Sequence, residues 1–108
     1  MARKVATNVN GETRKKLPAA VRRYVFERDD FACLYCGVSL FEDDGLAFHV
    51  DHVFPFVLGG SDEVANLATT CAACNWAAGG RRKPAHIERA VLALIAACNA
   101  ARAAPAVA

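Results

Sequence analysis

Residues 49–55, His-Val-Asp-His-Val-Phe-Pro, lie between two Cys-x-x-Cys pairs, and this arrangement decides the fold. The first pair is Cys33 and Cys36, and the second is Cys71 and Cys74. A two-residue gap lets both thiolates of a pair reach one ion at about 2.3 Å, and two pairs complete a tetrahedron. We therefore expect a structural Zn²⁺ ion on these four cysteines, with no coordination position left open for catalysis.

Other uses of the paired cysteines fit the sequence less well. A thioredoxin-like redox pair needs one Cys-x-x-Cys beside a βαβ pattern, whereas this chain has two pairs and no such pattern. An iron–sulfur or rubredoxin-like iron site fits the ligands but not the histidine chemistry between them. Residues 1–16 are polar and basic, without the apolar segment of a signal peptide, which predicts a reducing, cytoplasmic location and disfavours disulfides. The fifth cysteine, Cys98, is expected to be an ordinary buried thiol.

Composition predicts one small domain and excludes two classes of protein. A chain of 108 residues with 55% hydrophobic content is too short for two independent cores and too apolar to be disordered throughout. The longest apolar run, residues 90–98, is about half of the roughly 20 residues that a bilayer helix needs, so no membrane partner is expected. The net charge of +2 conceals a basic segment, since residues 1–28 carry eight basic and two acidic side chains. This asymmetry favours a polyanionic partner.

The hydrophobic pattern predicts an α+β domain over residues 17–104, preceded by a flexible basic arm at residues 1–16. Apolar residues at helical spacing predict a first helix that ends near Asp29 and Asp30, and its buried face is Leu17, Val21, Tyr24 and Val25. Three arginines of this helix are expected mostly off that face: Arg22, Arg23 and Arg28.

The remaining elements are two strands followed by two helices. They are predicted as a turn at residues 43–45, a strand at 46–54, a short return strand at 66–70, a helix at 71–78 and a long helix at about 85–103. The buried stripe of the last helix is expected to be Ile87, Val91, Leu94, Ile95 and Cys98.

The residues between the cysteine pairs offer the groups that phosphodiester hydrolysis needs. Asp51 supplies a hard oxygen ligand of the kind that Mg²⁺ prefers, and Asn75 adds a neutral carbonyl oxygen. His52 can be neutral at working pH and take a proton from water, beside a metal that stabilises the leaving oxygen. Neighbouring residues of an ideal strand point to opposite faces, so Asp51 and His52 serve one phosphate only if the strand ends or bulges there. His49 would share the face of Asp51 and is an additional candidate ligand.

The stretch from Arg28 to Arg82 resembles an HNH endonuclease of the zinc-containing ββα-metal, or His-Me finger, group. The resemblance rests, in chain order, on Arg28-Asp29, Cys33-x-x-Cys36-Gly37, Asp51-His52, Pro55, Gly59-Gly60, Asn66-Leu67 and Cys71-x-x-Cys74-Asn75. It implies a small ββα-metal core at residues 28–82 with the zinc site, flanked by the amino-terminal and carboxy-terminal helices. It also implies that His52 is the general base and that Asn66 holds the loop and helps to orient that base. Asp51 and Asn75 would then bind a single catalytic Mg²⁺ or Mn²⁺ ion.

The resemblance implies a nucleic-acid substrate, with duplex DNA expected, that is cut to leave a 5′-phosphate. Non-specific charge would hold it first, and the candidate contacts are Arg22, Arg23, Arg81, Arg82 and Lys83, with Arg14, Lys15 and Lys16 as a flexible clamp. The alternative is a non-catalytic zinc-stabilised module that binds nucleic acid or a protein. The sequence leaves open whether a protein partner or a dimer supplies specificity.

Overall fold

Three helices and a two-stranded antiparallel sheet make up the computed structural model, which describes residues 7–39, 41, 47–78 and 81–102, with only the backbone for 76–78. The elements are α1 (Ala19–Arg28), β1 (Phe48–His52), β2 (Leu67–Cys71), α2 (Ala72–Ala78) and α3 (Ala85–Ala100), with short 3₁₀ helices at Phe56–Leu58 and Val64–Asn66. This architecture confirms the predicted α+β class. The predicted turn at residues 43–45 lies outside the described residues.

The two strands pair in a regular register from one end to the other. Phe48 lies opposite Cys71, and the pairing continues without interruption to His52 opposite Leu67. Since successive side chains of a regular strand alternate between its faces, Asp51 projects to one side of the sheet and His52 to the other. The strand does not bulge at His52 but ends there, which meets one of the two conditions under which Asp51 and His52 could serve one phosphate from opposite faces.

The sheet is the middle layer of the domain, and apolar residues cover both of its faces. On the α1 side the cluster consists of Val21, Tyr24, Val25, Val64 and Leu67. On the α3 side it consists of Val53, Ala68, Val91 and Ile95. The predicted apolar face of the first helix is thus correct. Because the two faces of β1 meet different helices, its odd and even residues have different neighbours.

The buried stripe of α3 is narrower than the sequence predicts. Val91 and Ile95 are buried, but Leu94 is 49% exposed and Ile87 is 37% exposed. Cys98, expected to be buried, is only half-buried. The sheet beneath α3 has two strands, so it contacts one narrow stripe of a helix whose apolar surface is wider.

The prediction that Arg28 lies off the buried face is wrong. Its side chain is fully buried and forms a two-pronged ion pair with Asp29, in which Nε lies 2.7 Å from Oδ1. Its other donors reach the carbonyl oxygens of Val64 and Leu67 and the Asn99 side chain. Asp29 in turn accepts a hydrogen bond from the backbone N–H of Thr69. This network ties α1 to β2 and α3.

Part of the amino-terminal arm is packed against the domain, where a flexible segment was expected. Residues 7–13 form a turn closed by a bridge between Thr7 and Thr13, and Asn8 within it is buried. The backbone N–H of Val9 donates to the carbonyl oxygen of Val57 at 3.0 Å. The arm therefore lies beside the loop that follows β1, while residues 1–6 are outside the described residues.

Candidate active site and metal centre

The four predicted zinc ligands lie close together. Their sulfur atoms are all within 4.8 Å of one another, and the Sγ atoms of Cys36 and Cys71 are 3.7 Å apart. A tetrahedron with Zn–S bonds of about 2.3 Å has edges of about 3.8 Å, so the cluster could hold a zinc ion. Cys71 is the last residue of β2 and Cys74 lies in the first turn of α2, while Cys33 and Cys36 precede the sheet. An ion bound here would join the turn at Cys33 and Cys36 to the end of β2 and to α2.

The first cysteine turn is held by its own backbone and by the sheet. The N–H of Cys33 donates to the carbonyl of Val38, and the N–H of Gly37 donates back to the carbonyl of Cys33. Gly37 adopts φ 81°, a left-handed conformation that a residue without Cβ takes at little cost. The N–H of Leu34 donates to the carbonyl of Thr69, which fixes the turn to β2.

The thiols have contrasting acidities that favour a bound cation. Burial raises the pKa of Cys33, but hydrogen bonds from the backbone of Cys71, Cys36 and Tyr35 outweigh it and lower the pKa to about 6. Burial and then the neighbouring thiols raise the pKa of Cys74 above its usual value. A second thiolate beside Cys33 is therefore disfavoured without a cation, and a divalent ion would offset the repulsion among four thiolates.

His52 forms a close pair with an acidic residue that sequence analysis missed. Its Nε2 lies 2.7 Å from Oδ1 of Asp62, with the two side chains 12% and 34% exposed. The ring of Phe56 packs beside the imidazole at a centroid distance of 5.9 Å. If Nε2 carries the ring proton and donates a hydrogen bond to Asp62, then Nδ1 is unprotonated and can accept a proton. The sequence signal was an acid in a Gly-Gly-Ser-Asp loop, but nothing in the sequence indicated that the loop folds back onto the histidine.

Two glycines, Gly59 and Gly60, allow this loop to fold back onto His52. Gly59 has φ 97°, in the left-handed region. A Cβ on Gly60 would lie 1.8 Å from the carbonyl oxygen of Phe54, so only glycine fits this approach of two backbone segments. The N–H of Gly60 donates to the carbonyl of Pro55, which closes the loop and directs the chain toward Asp62.

Asn66 fastens the same loop from inside. Its Oδ1 accepts the backbone N–H of Phe54 at 2.8 Å, and its Nδ2 donates to the carbonyl oxygens of Phe54 (3.1 Å) and Ser61 (2.9 Å). The residue is 8% exposed. These bonds join the start of the loop to the segment that carries Asp62, the partner of His52.

Asp51 has different neighbours from His52, on the α3 side of the sheet. Its Oδ2 accepts hydrogen bonds from the Tyr35 hydroxyl at 2.7 Å and from the Lys83 ammonium at 2.9 Å. Burial, followed by the negative charge of Asp51, raises the pKa of Tyr35, so the phenol remains a donor. The Asp51 carboxylate is thus already paired with one cation.

Lys83 was expected to be a surface contact for nucleic acid, and the structure instead buries it. Its side chain is 9% exposed, and its ammonium also donates to the backbone carbonyls of His52 (3.3 Å) and Val53 (3.2 Å). Three oxygens therefore surround one positive charge. An oxygen set of this kind has the chemistry of a hard-cation site.

The other two predicted metal ligands stand on different elements. Asn75 is half-buried on α2, directly after Cys74. His49 is exposed on β1, where the strand alternation gives it the same face as Asp51.

The predicted basic contacts have mixed surroundings. Arg22 and Arg23 are exposed on α1, and Arg81 is exposed ahead of α3. Arg82 lies over the ring of Phe54 and pairs with Glu88 through two hydrogen bonds of 3.1 Å, with its side chain 59% exposed. Arg14, from the arm, lies 5.2 Å from the centroid of the Phe56 ring. Phe56 is therefore a neighbour of both Arg14 and His52.

The sequence model of the HNH endonuclease family matches residues 33–92, more than half of the chain. The chain belongs to the HNH endonuclease family. The match spans both cysteine pairs of this HNH protein, the whole sheet, α2 and the first half of α3. A search of curated proteins found no match. Within the described residues, no helix combines the length and apolar character needed to cross a bilayer.

Proposed function

We propose that this HNH protein is a metal-dependent endonuclease that hydrolyses phosphodiester bonds of DNA, with His52 as the general base. The pair formed by His52 and Asp62 carries the proposal, because a carboxylate 2.7 Å from Nε2 favours the tautomer that a base needs. The matched family supports a nucleic-acid substrate. Duplex DNA is the substrate class that we propose within it.

The proton transfer follows from the surroundings of the imidazole. Nδ1 of His52 accepts a proton from a water molecule, which becomes the nucleophile at phosphorus. The ring then carries a positive charge, and the carboxylate of Asp62 stabilises that charge. Phe56 packs against the ring and limits its rotation, so the base keeps one orientation.

The proposed divalent ion is Mg²⁺ or Mn²⁺, held by Asp51 and Asn75, with His49 as an additional candidate. The oxygens around the Lys83 ammonium support this location, because they already accommodate a positive charge. When bound, the ion supplies the charge that stabilises the leaving oxygen. Zn²⁺ on the four cysteines would be structural, since four sulfur ligands leave it no open position.

The substrate would be held chiefly by arginines. Arg14 is the best supported, since its guanidinium and the His52 imidazole pack on the same aromatic ring, that of Phe56. Arg22, Arg23, Arg81 and Arg82 are exposed and extend the positive charge over the surface. Their contacts with phosphates would be independent of sequence, so specificity is left to other determinants.

Plasmid nicking tests the proposal directly. Supercoiled DNA is incubated with the zinc-loaded protein and either Mg²⁺, Mn²⁺ or excess EDTA, and wild type is compared with His52→Ala. We expect nicking only with the added metal, and a loss of at least about 100-fold in His52→Ala because the general base is removed. His86→Ala is the matched control, since His86 is an exposed histidine on α3.

Two results would contradict the proposal. Nicking that persists in His52→Ala, with fold and zinc content unchanged, would exclude His52 as the base. DNA binding without cleavage in wild type, unaffected by His52→Ala, would favour a non-catalytic zinc module.

A further inference from the structure

Lys83 occupies the position where a divalent ion is expected. Its ammonium lies 2.9 Å from Oδ2 of Asp51 and contacts two backbone carbonyls at 3.2 and 3.3 Å. It also lies 5.1 Å from the centroid of the Tyr35 ring. The side chains of Lys83 and Asp51 are 9% and 13% exposed, so water screens their attraction only weakly.

The charges at this position balance without any ion. One carboxylate faces one ammonium, and the Tyr35 hydroxyl is a neutral donor to the same oxygen. A divalent ion bound to Asp51 while Lys83 stayed in place would add two positive charges beside a third, with one carboxylate to offset them. Like charges at such short range are strongly unfavourable in a partly buried site.

Lys83 lies outside the helices and strands of the described residues. Residues 81–84 belong to neither a helix nor a strand, and α3 begins at Ala85. Lys83 can therefore withdraw without the loss of a helical turn. The side chain of Arg82, the preceding residue, is 59% exposed. The surface of the protein is thus one residue away from Lys83, and a displaced ammonium would reach solvent there.

We infer that Lys83 is an internal cation that competes with the divalent ion for Asp51. This inference rests on the proposed function, because it takes Asp51 as a ligand of the catalytic ion. Without the divalent ion, Lys83 neutralises the charge of Asp51, and the ion binds only as the lysine leaves. The apparent association constant for the metal is then the intrinsic constant multiplied by the fraction of molecules in which Lys83 has already withdrawn.

Direct Mn²⁺ binding tests the competition without any cleavage assay. The zinc-loaded protein is titrated with Mn²⁺ in the absence of nucleic acid, and free Mn²⁺ is followed by electron paramagnetic resonance. We expect Lys83→Met to bind Mn²⁺ at least about tenfold more tightly than wild type, as for a competent state populated at about 10% or less. Adding Asp51→Asn to Lys83→Met should abolish the gain. Arg89→Met, which removes an exposed positive charge from α3, is the matched control and should bind as wild type does.

A second measurement uses the wild-type chain, in case Lys83→Met does not fold. Initial rates of lysine acetylation are measured by mass spectrometry with and without Mn²⁺. We expect acetylation of Lys83 to accelerate severalfold with Mn²⁺, while the exposed Lys15 and Lys16 remain unchanged. Protection of Lys83 at saturating Mn²⁺ would overturn the inference.

Failure of this inference differs from failure of the proposed function. Equal Mn²⁺ affinity in wild type and Lys83→Met, lost in both on Asp51→Asn, would overturn the competition and keep Asp51 as a ligand. No binding that depends on Asp51 in either protein would overturn both the competition and the ligand assignment. In that case the nicking assay still decides whether His52 is the base.

Discussion

Replacing Asp62 with asparagine removes one negative charge from beside His52 and leaves the shape of the side chain almost unchanged. In the structure the carboxylate is 2.7 Å from Nε2, so it both fixes the tautomer and stabilises the imidazolium that forms when the base takes a proton. Asparagine can still accept a hydrogen bond through its Oδ1. The substitution therefore tests the charge of Asp62 rather than its volume.

The expected loss can be worked out from the hydrogen bond itself. Hydrogen bonds to charged groups contribute about 1.5–3 kcal/mol and neutral ones about 0.5–1.5 kcal/mol, so replacing the carboxylate with an amide that keeps the bond should cost about 1–1.5 kcal/mol. At about 1.36 kcal/mol per tenfold change in rate, kcat should fall roughly 5- to 13-fold. KM should stay close to that of wild type, because Asp62 acts on the base and not on the substrate.

The assay is the initial rate of plasmid nicking over a range of DNA concentrations, with thermal stability measured in parallel. Glu63→Gln is the control, since it removes the same charge from the neighbouring exposed residue. An equal loss in both variants would mean that the negative charge acts on DNA binding in general. A wild-type kcat in Asp62→Asn would refute the positioning role of Asp62.

Three further predictions concern the frame around the site. Removing zinc with a strong chelator should unfold the domain, and adding zinc back should restore the fold, because the binding free energy of the ion stabilises the folded state. Far-ultraviolet circular dichroism follows both steps. Retention of full structure without the metal would contradict a structural zinc. Asn66→Ala should lower the free energy of unfolding by about 2–4 kcal/mol in denaturant titrations, because the backbone groups of Phe54 lose their partners, whereas an unchanged midpoint would exclude this role. Arg28→Met should cost about 3–5 kcal/mol by leaving the buried Asp29 unpaired, and calorimetry should find Tm lowered by about 12 °C or more. Adding Asp29→Asn should recover part of that loss, and no recovery would contradict the pairing.

Local patterns predicted the elements of this fold well. The helical spacing of Val21 and Val25 indicated the buried face of α1, and the β-branched and aromatic residues around Val50 indicated a strand, although its bounds at Phe48–His52 are shorter than predicted. The cysteine spacing predicted a cluster, and the structure brings the four sulfur atoms within 4.8 Å of one another. Each of these signals depends on neighbours in the chain or on a short, well-defined gap.

The environment of the site depended on tertiary contacts. The pairing of His52 with Asp62 requires a loop to fold back on itself, and the left-handed conformation of Gly59 and the close backbone approach at Gly60 decide its course. The burial of Lys83 depends on where α3 begins relative to β1, which no local pattern records. Arg28 was predicted to lie mostly off the buried face for the same reason, since its partners come from distant parts of the chain.

By itself, therefore, the sequence determined which chemical groups are present and which short segments carry them, because spacing along the chain sets helical faces, strand alternation and the reach of paired thiols. Only the tertiary structure decided which charges meet. It paired His52 with Asp62 on one face of the sheet and Asp51 with Lys83 on the other. The physical reason is that charge pairing depends on distances of a few ångströms between residues far apart in sequence, and packing sets those distances.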